Sequence, residues 1–299
     1  MQIVKTNQAL SQALENQNAI AFVPTMGNLH AGHIQLVELA KSKNACVVVS
    51  IFVNPLQFGK NEDLSKYPRT LEADLEKLKS AGADVVFTPT EQEIYPDFDA
   101  NTNTTHQSIT VNVPAIADEL CGAVRPGHFS GVATVVLKLF NLVFSHGAKT
   151  KIAIFGKKDF QQLFIIRDMV KQLNLPIEIV AGDTKREADG LAMSSRNGYL
   201  TPAQRIEAPR LYRALGLLVD AIKQGRTDFS ALETQTSQFL TRLGWIVDYI
   251  SIRSTDSMLP AGSNDQKLII LGAARQGDTR LIDNIEFTLK AESLVRLEK

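Results

Sequence analysis

Short runs rich in Val, Ile and Phe recur along the first 180 or so residues, and between successive runs the apolar residues fall three and four apart. This alternation limits the possible folds more than any other feature. The runs at 19–24, 46–53, 84–88, 151–155 and 177–181 have the length and composition of buried strands. The intervening segments 33–42, 70–81, 132–144 and 160–173 have helical spacing. Strands alternating with helices imply crossover connections and a parallel sheet covered on both faces. Such a sheet binds ligands beyond the carboxyl ends of its strands, so the loops that follow the strands are where function is sought.

The pattern changes near residue 183. A polar loop leads to helical patterns over 202–224 and 228–243, then to strand-like runs at 245–253, 267–273 and 279–285. With 299 residues the chain has room for two domains. The expected division is an α/β domain over 1–182 and a smaller α+β domain over 183–299.

Lys plus Arg and Asp plus Glu each number 32, so the formal net charge is zero. No overall basic field draws the chain to nucleic acid, and any bound anion must be held by a local site. Cys46 and Cys121 are too few and too far apart for a disulfide framework or a thiolate zinc site, and both are expected to be free thiols. The first residues show no leader pattern and no later run approaches a membrane span, so a soluble cytoplasmic protein without membrane partners is expected.

Four loops carry groups suited to chemistry. The first strand runs into Met26, Gly27, Asn28, Leu29, His30, Ala31, Gly32 and His33, where a helix begins. Glycines admit a ligand close to the backbone, a helix start offers N–H groups, and two imidazoles three residues apart share a face. That combination suits phosphate, and no further ligands stand nearby to make a metal site. After the second strand come Asn54 and Gln57, neutral amides suited to a hydroxyl or carboxylate, though Asn54-Pro55 reads equally well as a turn. The third loop, Gly156, Lys157, Lys158 and Asp159, brings cations and a carboxylate suited to a triphosphate and its Mg²⁺. The fourth, Met193, Ser194, Ser195 and Arg196, offers hydroxyls and a guanidinium to a polyphosphate. A secondary candidate, from Arg125 to Phe129, precedes the apolar helix expected from Val132 and could orient substrate.

These residues resemble one family closely. His30-Ala31-Gly32-His33 looks like the His-x-Gly-His signature of the nucleotidylyltransferase superfamily, and Met193-Ser194-Ser195-Arg196 looks like its second phosphate-binding signature. The phrases VPTMGNLHAGH, SIFVNPLQF, YPRTLEADL, RPGHFSGVATVV, GKKDFQQL, DGLAMSSRNGYL and RLIDN narrow the resemblance to the pantothenate synthetases. The resemblance implies a Rossmann-like doubly wound parallel sheet, a smaller α+β carboxyl-terminal lid and a homodimer. It also implies a ligase that activates pantoate with MgATP as an acyl-adenylate and passes the acyl group to β-alanine.

Residue by residue, the resemblance places Met26 to His33, Gly156 to Asp159 and Met193 to Arg196 on ATP. His33, His30, Lys158 and Arg196 carry the catalysis, with a proton-donor role for His33. Gln57 and Gln162 hold pantoate, with Gln57 also near β-alanine; the Mg²⁺ ligands are not implied. Two other readings fit the same phosphate motifs: a nucleotidylyltransferase acting on a phosphorylated acceptor, and a nucleotide-binding module without catalysis.

Overall fold

The structure is a computed structural model that describes residues 1–58, 70–102 and 104–289. The elements in chain order are β1 Gln2–Val4, α1 Asn7–Leu14, β2 Ala19–Thr25, α2 Ala31–Lys41, β3 Cys46–Ile51, α3 Leu71–Ala81, β4 Val85–Phe87 and α4 Glu91–Ile94. A two-residue ribbon, β5 Phe98–Asp99 and β6 Thr104–Thr105, precedes α5 Cys121–Val124, α6 His128–Val143, β7 Thr150–Gly156, α7 Phe160–Gln172 and β8 Glu178–Gly182. The remainder comprises α8 Pro202–Glu207, α9 Arg210–Lys223, α10 Phe229–Arg242, β9 Ile246–Ser254, β10 Lys267–Gln276 and β11 Thr279–Thr288. The chain divides into two compact units, one of residues 1–157 and 161–184, the other of 158–160 and 185–299.

The first unit is built on a six-stranded sheet in the order β1-β4-β3-β2-β7-β8, parallel throughout. The parallel α/β sheet expected from the alternation is therefore present, in the doubly wound form that the resemblance implies. Side chains alternate across a strand, so β2 serves two cores at once. Ala21 and Val23 join Val37 and Ala40 of α2 and Leu78 of α3 in one buried cluster. Phe22, on the opposite face, meets Phe140 and Phe144 edge-on at 6.4 and 6.2 Å. Both faces are covered, as a parallel sheet requires.

The chain winds from β2 through β3 to β4, then returns to place β7 on the other side of β2. The strand order thus reverses between β2 and β7. Their pairing ends at Phe22 and Ala153, although β2 continues to Thr25 and β7 to Gly156. The carboxyl ends are free to part there, which is where an open α/β sheet makes its crevice.

The second unit is an antiparallel sheet in the order β11-β10-β9 with α9 and α10 on its apolar face. Trp245, Leu215 and Leu268 lie at its centre.

Some expected boundaries shift. The helix expected over 202–224 is two helices, because Pro209 has no N–H to give the turn behind it and instead caps α9. The strand expected over 46–53 stops at Ile51, where Phe52 N–H gives the ladder with β2 its last bond, to Thr25 O at 3.0 Å. The apolar helix expected from Val132 begins at His128, set by Gly127 in the left-handed region at φ +78°. Residues 67–69 of the YPRTLEADL phrase lie outside the described residues.

Candidate active site

The loop after β2 holds its shape through a buried acid. Gly27 and Asn28 both have positive φ, +79° and +50°, and their turn lifts successive N–H groups away from the strand. Asp74 of α3, with no exposed surface, takes both orphaned donors: Asn28 N–H at 2.8 Å and Leu29 N–H at 2.8 Å. Thr70 Oγ1 donates to the same carboxylate at 3.0 Å, and Lys77 Nζ donates to Leu29 O at 2.7 Å. Hydrogen bonds to a charged acceptor contribute about 1.5–3 kcal/mol each, so this acid fixes the turn.

The turn delivers His30 to the start of α2, where the two histidines cap the helix reciprocally. Gly32 N–H donates to His30 Nδ1 at 3.1 Å, and His30 N–H donates to His33 Nδ1 at 3.3 Å. The rings lie 4.1 Å apart. A ring nitrogen that accepts an N–H carries no proton, so each neutral imidazole holds its hydrogen on Nε2. Both side chains are thus set as Nε2–H donors at a helix amino terminus, beside its positive dipole end.

Beyond β3, Asn54 caps the single 3-10 turn Pro55–Gln57. The sequence offers Asn54 as a substrate-facing amide, but it is 1% exposed and fully engaged within the protein. Its Oδ1 accepts from Tyr95 Oη at 2.6 Å and Leu56 N–H at 3.3 Å, while Nδ2 donates to Gly131 O and to Gln57 Oε1. Burial of this network pushes the Tyr95 phenol well above its usual range, keeping it a donor. Gln57 Nε2 contacts Met26 Sδ at 2.7 Å, joining the loops at the ends of β2 and β3.

On α7, Gln161 and Gln162 divide the roles. Gln161 is 4% exposed and spends its amide on Cys121 N–H, Ile116 O and Glu119 O. Gln162 points about 100° away around the helix and makes no side-chain hydrogen bond among the described residues. Gly156 ends β7, and Lys157 Nζ pairs with the exposed Asp183 at 2.8 Å.

The second unit gathers the remaining candidates along β11. Asn284 Nδ2 donates to Lys158 O at 2.9 Å, fixing the main chain that carries Lys158 and Asp159. The neighbouring Asp283, buried, receives Arg186 in a two-pronged pair at 2.7 and 2.9 Å. Arg186 also stacks on Tyr212 at 3.5 Å and donates to Gly190 O at 3.0 Å. The loop closes through Met193 N–H to Lys185 O at 2.9 Å and Asn197 Nδ2 to Ala192 O at 3.1 Å. Met193, Ser194, Ser195 and Arg196 follow, with Ser194 Oγ accepting Arg196 N–H at 3.2 Å. Ser194 is thereby partly committed to its own turn, while the exposed Arg196 guanidinium makes no hydrogen bond among the described residues.

The contacts that hold the site in shape are not legible in the sequence. Asp74 does leave a signal, since it is an acid placed on the face of α3 that Leu75 and Leu78 turn toward the core. Asp283 and Asn284 stand within the RLIDN phrase, but nothing local shows that they hold Arg186 and Lys158, 97 and 126 residues away.

A family model described as pantoate-beta-alanine ligase matches residues 2–286. The pantothenate synthetase of Methylobacillus flagellatus is 62% identical over 97% of this chain and 99% of its own. That of Thiobacillus denitrificans is 54% identical over the same shares. The solved pantothenate synthetase of Thermus thermophilus has a TM-score of 0.86 at 42% identity, covering 95% of this chain and 99% of its own. The pantoate-beta-alanine ligase of Francisella tularensis, solved in complex with beta-gamma ATP and beta-alanine, has a TM-score of 0.77 at 35% identity, covering 95% and 97%. From the amino-terminal strand to the end of the second sheet, then, this chain belongs to the pantoate–β-alanine ligase family.

Proposed function

We propose that the chain condenses pantoate with β-alanine using ATP, through a pantoyl-adenylate. A pantoate carboxylate oxygen attacks the α-phosphorus, and the bond to pyrophosphate breaks. The β-alanine nitrogen then attacks the acyl carbon, the C–O bond to AMP breaks, and the amine proton is lost. The observation that carries this reading is the reciprocal capping of His30 and His33, which sets two Nε2–H donors at a helix amino terminus where the strand order reverses. The Francisella relative, with beta-gamma ATP and beta-alanine bound, supports both substrates.

Phosphoryl transfer of this kind needs positioning and charge stabilisation more than covalent help. Met26, Gly27, Asn28, Leu29, His30, Ala31, Gly32 and His33 line the triphosphate with N–H and imidazole donors, and His33 gives a proton to it. Gly156 and Lys157 continue that lining in the first unit. In the second unit Lys158, Ser194, Ser195 and Arg196 neutralise charge on the departing pyrophosphate, with Asp159 and Met193 beside them. Gln57 and Gln162 hold pantoate, and Gln57 also meets β-alanine. No described group of three or more His, Cys, Asp or Glu residues could hold a metal by itself. Mg²⁺ would come with ATP and offset phosphate charge, and Asp159 is the carboxylate in these loops that could reach it. A cytoplasmic homodimer completes the reading. No described helix is long and apolar enough to cross a membrane.

The test is pyrophosphate release from MgATP and pantoate, with and without β-alanine, by the protein and by His33→Ala. Sustained release that needs both acid and amine, with a loss of about 10²–10⁴-fold in the variant, is expected for a proton donor. Release that ignores pantoate would replace this function with nucleotidyl transfer to another acceptor.

A further inference from the structure

The main-chain carbonyl of Gln57 receives two donors from beyond its own turn. His128 Nδ1 lies 2.8 Å from it, and Arg125 Nη2 donates to it at 3.3 Å. Arg125 Nη1 in turn lies 3.0 Å from His128 Nε2. A guanidinium has only donors, so His128 Nε2 presents a lone pair to it. The neutral ring then carries its hydrogen on Nδ1 and donates it to Gln57 O. Arg125 selects the tautomer, and the tautomer holds the carbonyl.

Anchoring the turn as a whole does not need this clamp. One turn further along α6, Gly131 packs so tightly that a Cβ there would stand 2.2 Å from Leu56 O and 2.5 Å from Leu56 C. Gly131 O also accepts Asn54 Nδ2 at 3.1 Å. Those contacts fix Asn54 and Leu56. The peptide after Gln57 is held by Phe58 N–H to Pro55 O at 3.2 Å and by this clamp on its carbonyl, and a turn about the Gln57 N–Cα bond would carry carbonyl and side chain together.

We propose that His128, with its tautomer set by Arg125, is a positioning residue for acid binding: it orients the Gln57 peptide and hence the amide that holds pantoate. The assignment rests on the function proposed above and adds a step to it. Neither residue needs to touch substrate. A small rotation suffices, because displacement of about 1 Å at a positioning group can cost 10²-fold in rate.

The experiment is steady-state kinetics of pantothenate formation by the wild-type protein, His128→Ala, His128→Asn and Arg125→Met, with melting temperatures alongside. His128→Ala is expected to raise the pantoate KM about tenfold or more while the ATP KM stays within about twofold. His128→Asn, whose Nδ2 stands where the ring Nδ1 stands, should recover most of that loss. Arg125→Met, which leaves the ring but frees its tautomer, should raise the pantoate KM by itself, and it serves as the test should His128→Ala fail to fold. An unchanged pantoate KM in these variants, an equal rise in every KM, or an Asn variant no better than Ala would overturn the positioning role and leave the function standing. A wild-type protein that forms no pantothenate would refute the function and take this assignment with it.

Discussion

Asp74→Asn tests whether the first phosphate loop is held by one buried carboxylate. The substitution preserves size but leaves a single acceptor where two oxygens served Asn28 N–H and Leu29 N–H. If the Asn oxygen faces Leu29, its NH₂ group opposes the Asn28 N–H and the Thr70 hydroxyl; the reverse orientation opposes Leu29 instead. One charge-assisted bond is lost and one buried donor is stranded, at about 1–3 kcal/mol. Asn28 at φ +50° adds strain that the remaining contacts must hold against. The buried cluster between α2, α3 and the sheet keeps its apolar contacts, so the loss should fall mainly on the loop. If the loop must be ordered for ATP to bind, 1–3 kcal/mol weakens ATP by roughly 5- to 150-fold. The assay is the ATP KM beside the pantoate KM, with a urea midpoint to confirm the fold. An ATP KM within twofold of wild type in a folded Asn variant would refute the reasoning and leave the turn to Gly27 and Lys77.

Three other outcomes follow from the same geometry. Asp283→Ala strands Arg186 against Tyr212 and removes the acid that organises the 185–193 loop; a loss of roughly 2–4 kcal/mol is expected by urea unfolding, the partial exposure of Arg186 softening the cost of breaking a buried pair. Burial, with Asp84 adding to it, pushes the Cys46 thiol up to about 11, so alkylation of Cys46 at pH 8, followed by peptide mass spectrometry, should run about a hundredfold slower than in the unfolded chain; equal rates would show that the strand does not shield it. Burial likewise raises the Glu233 carboxyl, against the opposing effects of the Ile252 N–H it accepts at 2.6 Å and of Arg253. Its charged form therefore costs stability, a cost absent below the unfolded carboxyl range and complete above the folded one. Glu233→Gln should gain on wild type as pH rises through that window, and a pH-independent difference in unfolding midpoint would contradict it.

What can be read from the sequence divides along the range of the interaction involved. Cys46–Ile51 announces itself because a strand buried on both faces must be apolar at nearly every position, and that constraint is local. The break at Pro209 is equally local, but the apolar spacing of α8 and α9 runs on across it and masks it. Gln2–Val4 is different: three residues carry no period, and the strand exists because β4 offers it an edge, pairing Ile3 with Val86. The site divides in the same way. Groups proposed to meet substrate stand in short phrases after strand ends, where type and spacing are visible together. Groups that hold them are distant in sequence: Asp74 acts 46 residues from Asn28, and Asn284 acts 126 from Lys158. A helix turn can supply its own hydrogen-bond partners, but a phosphate loop that opens N–H groups toward a ligand cannot, so its rigidity has to be imported from another element. Asn54 shows the ambiguity this leaves, since an Asn before a proline at a strand end reads equally as substrate-facing or as a turn until Tyr95 and Gly131, 41 and 77 residues away, are seen to consume its amide.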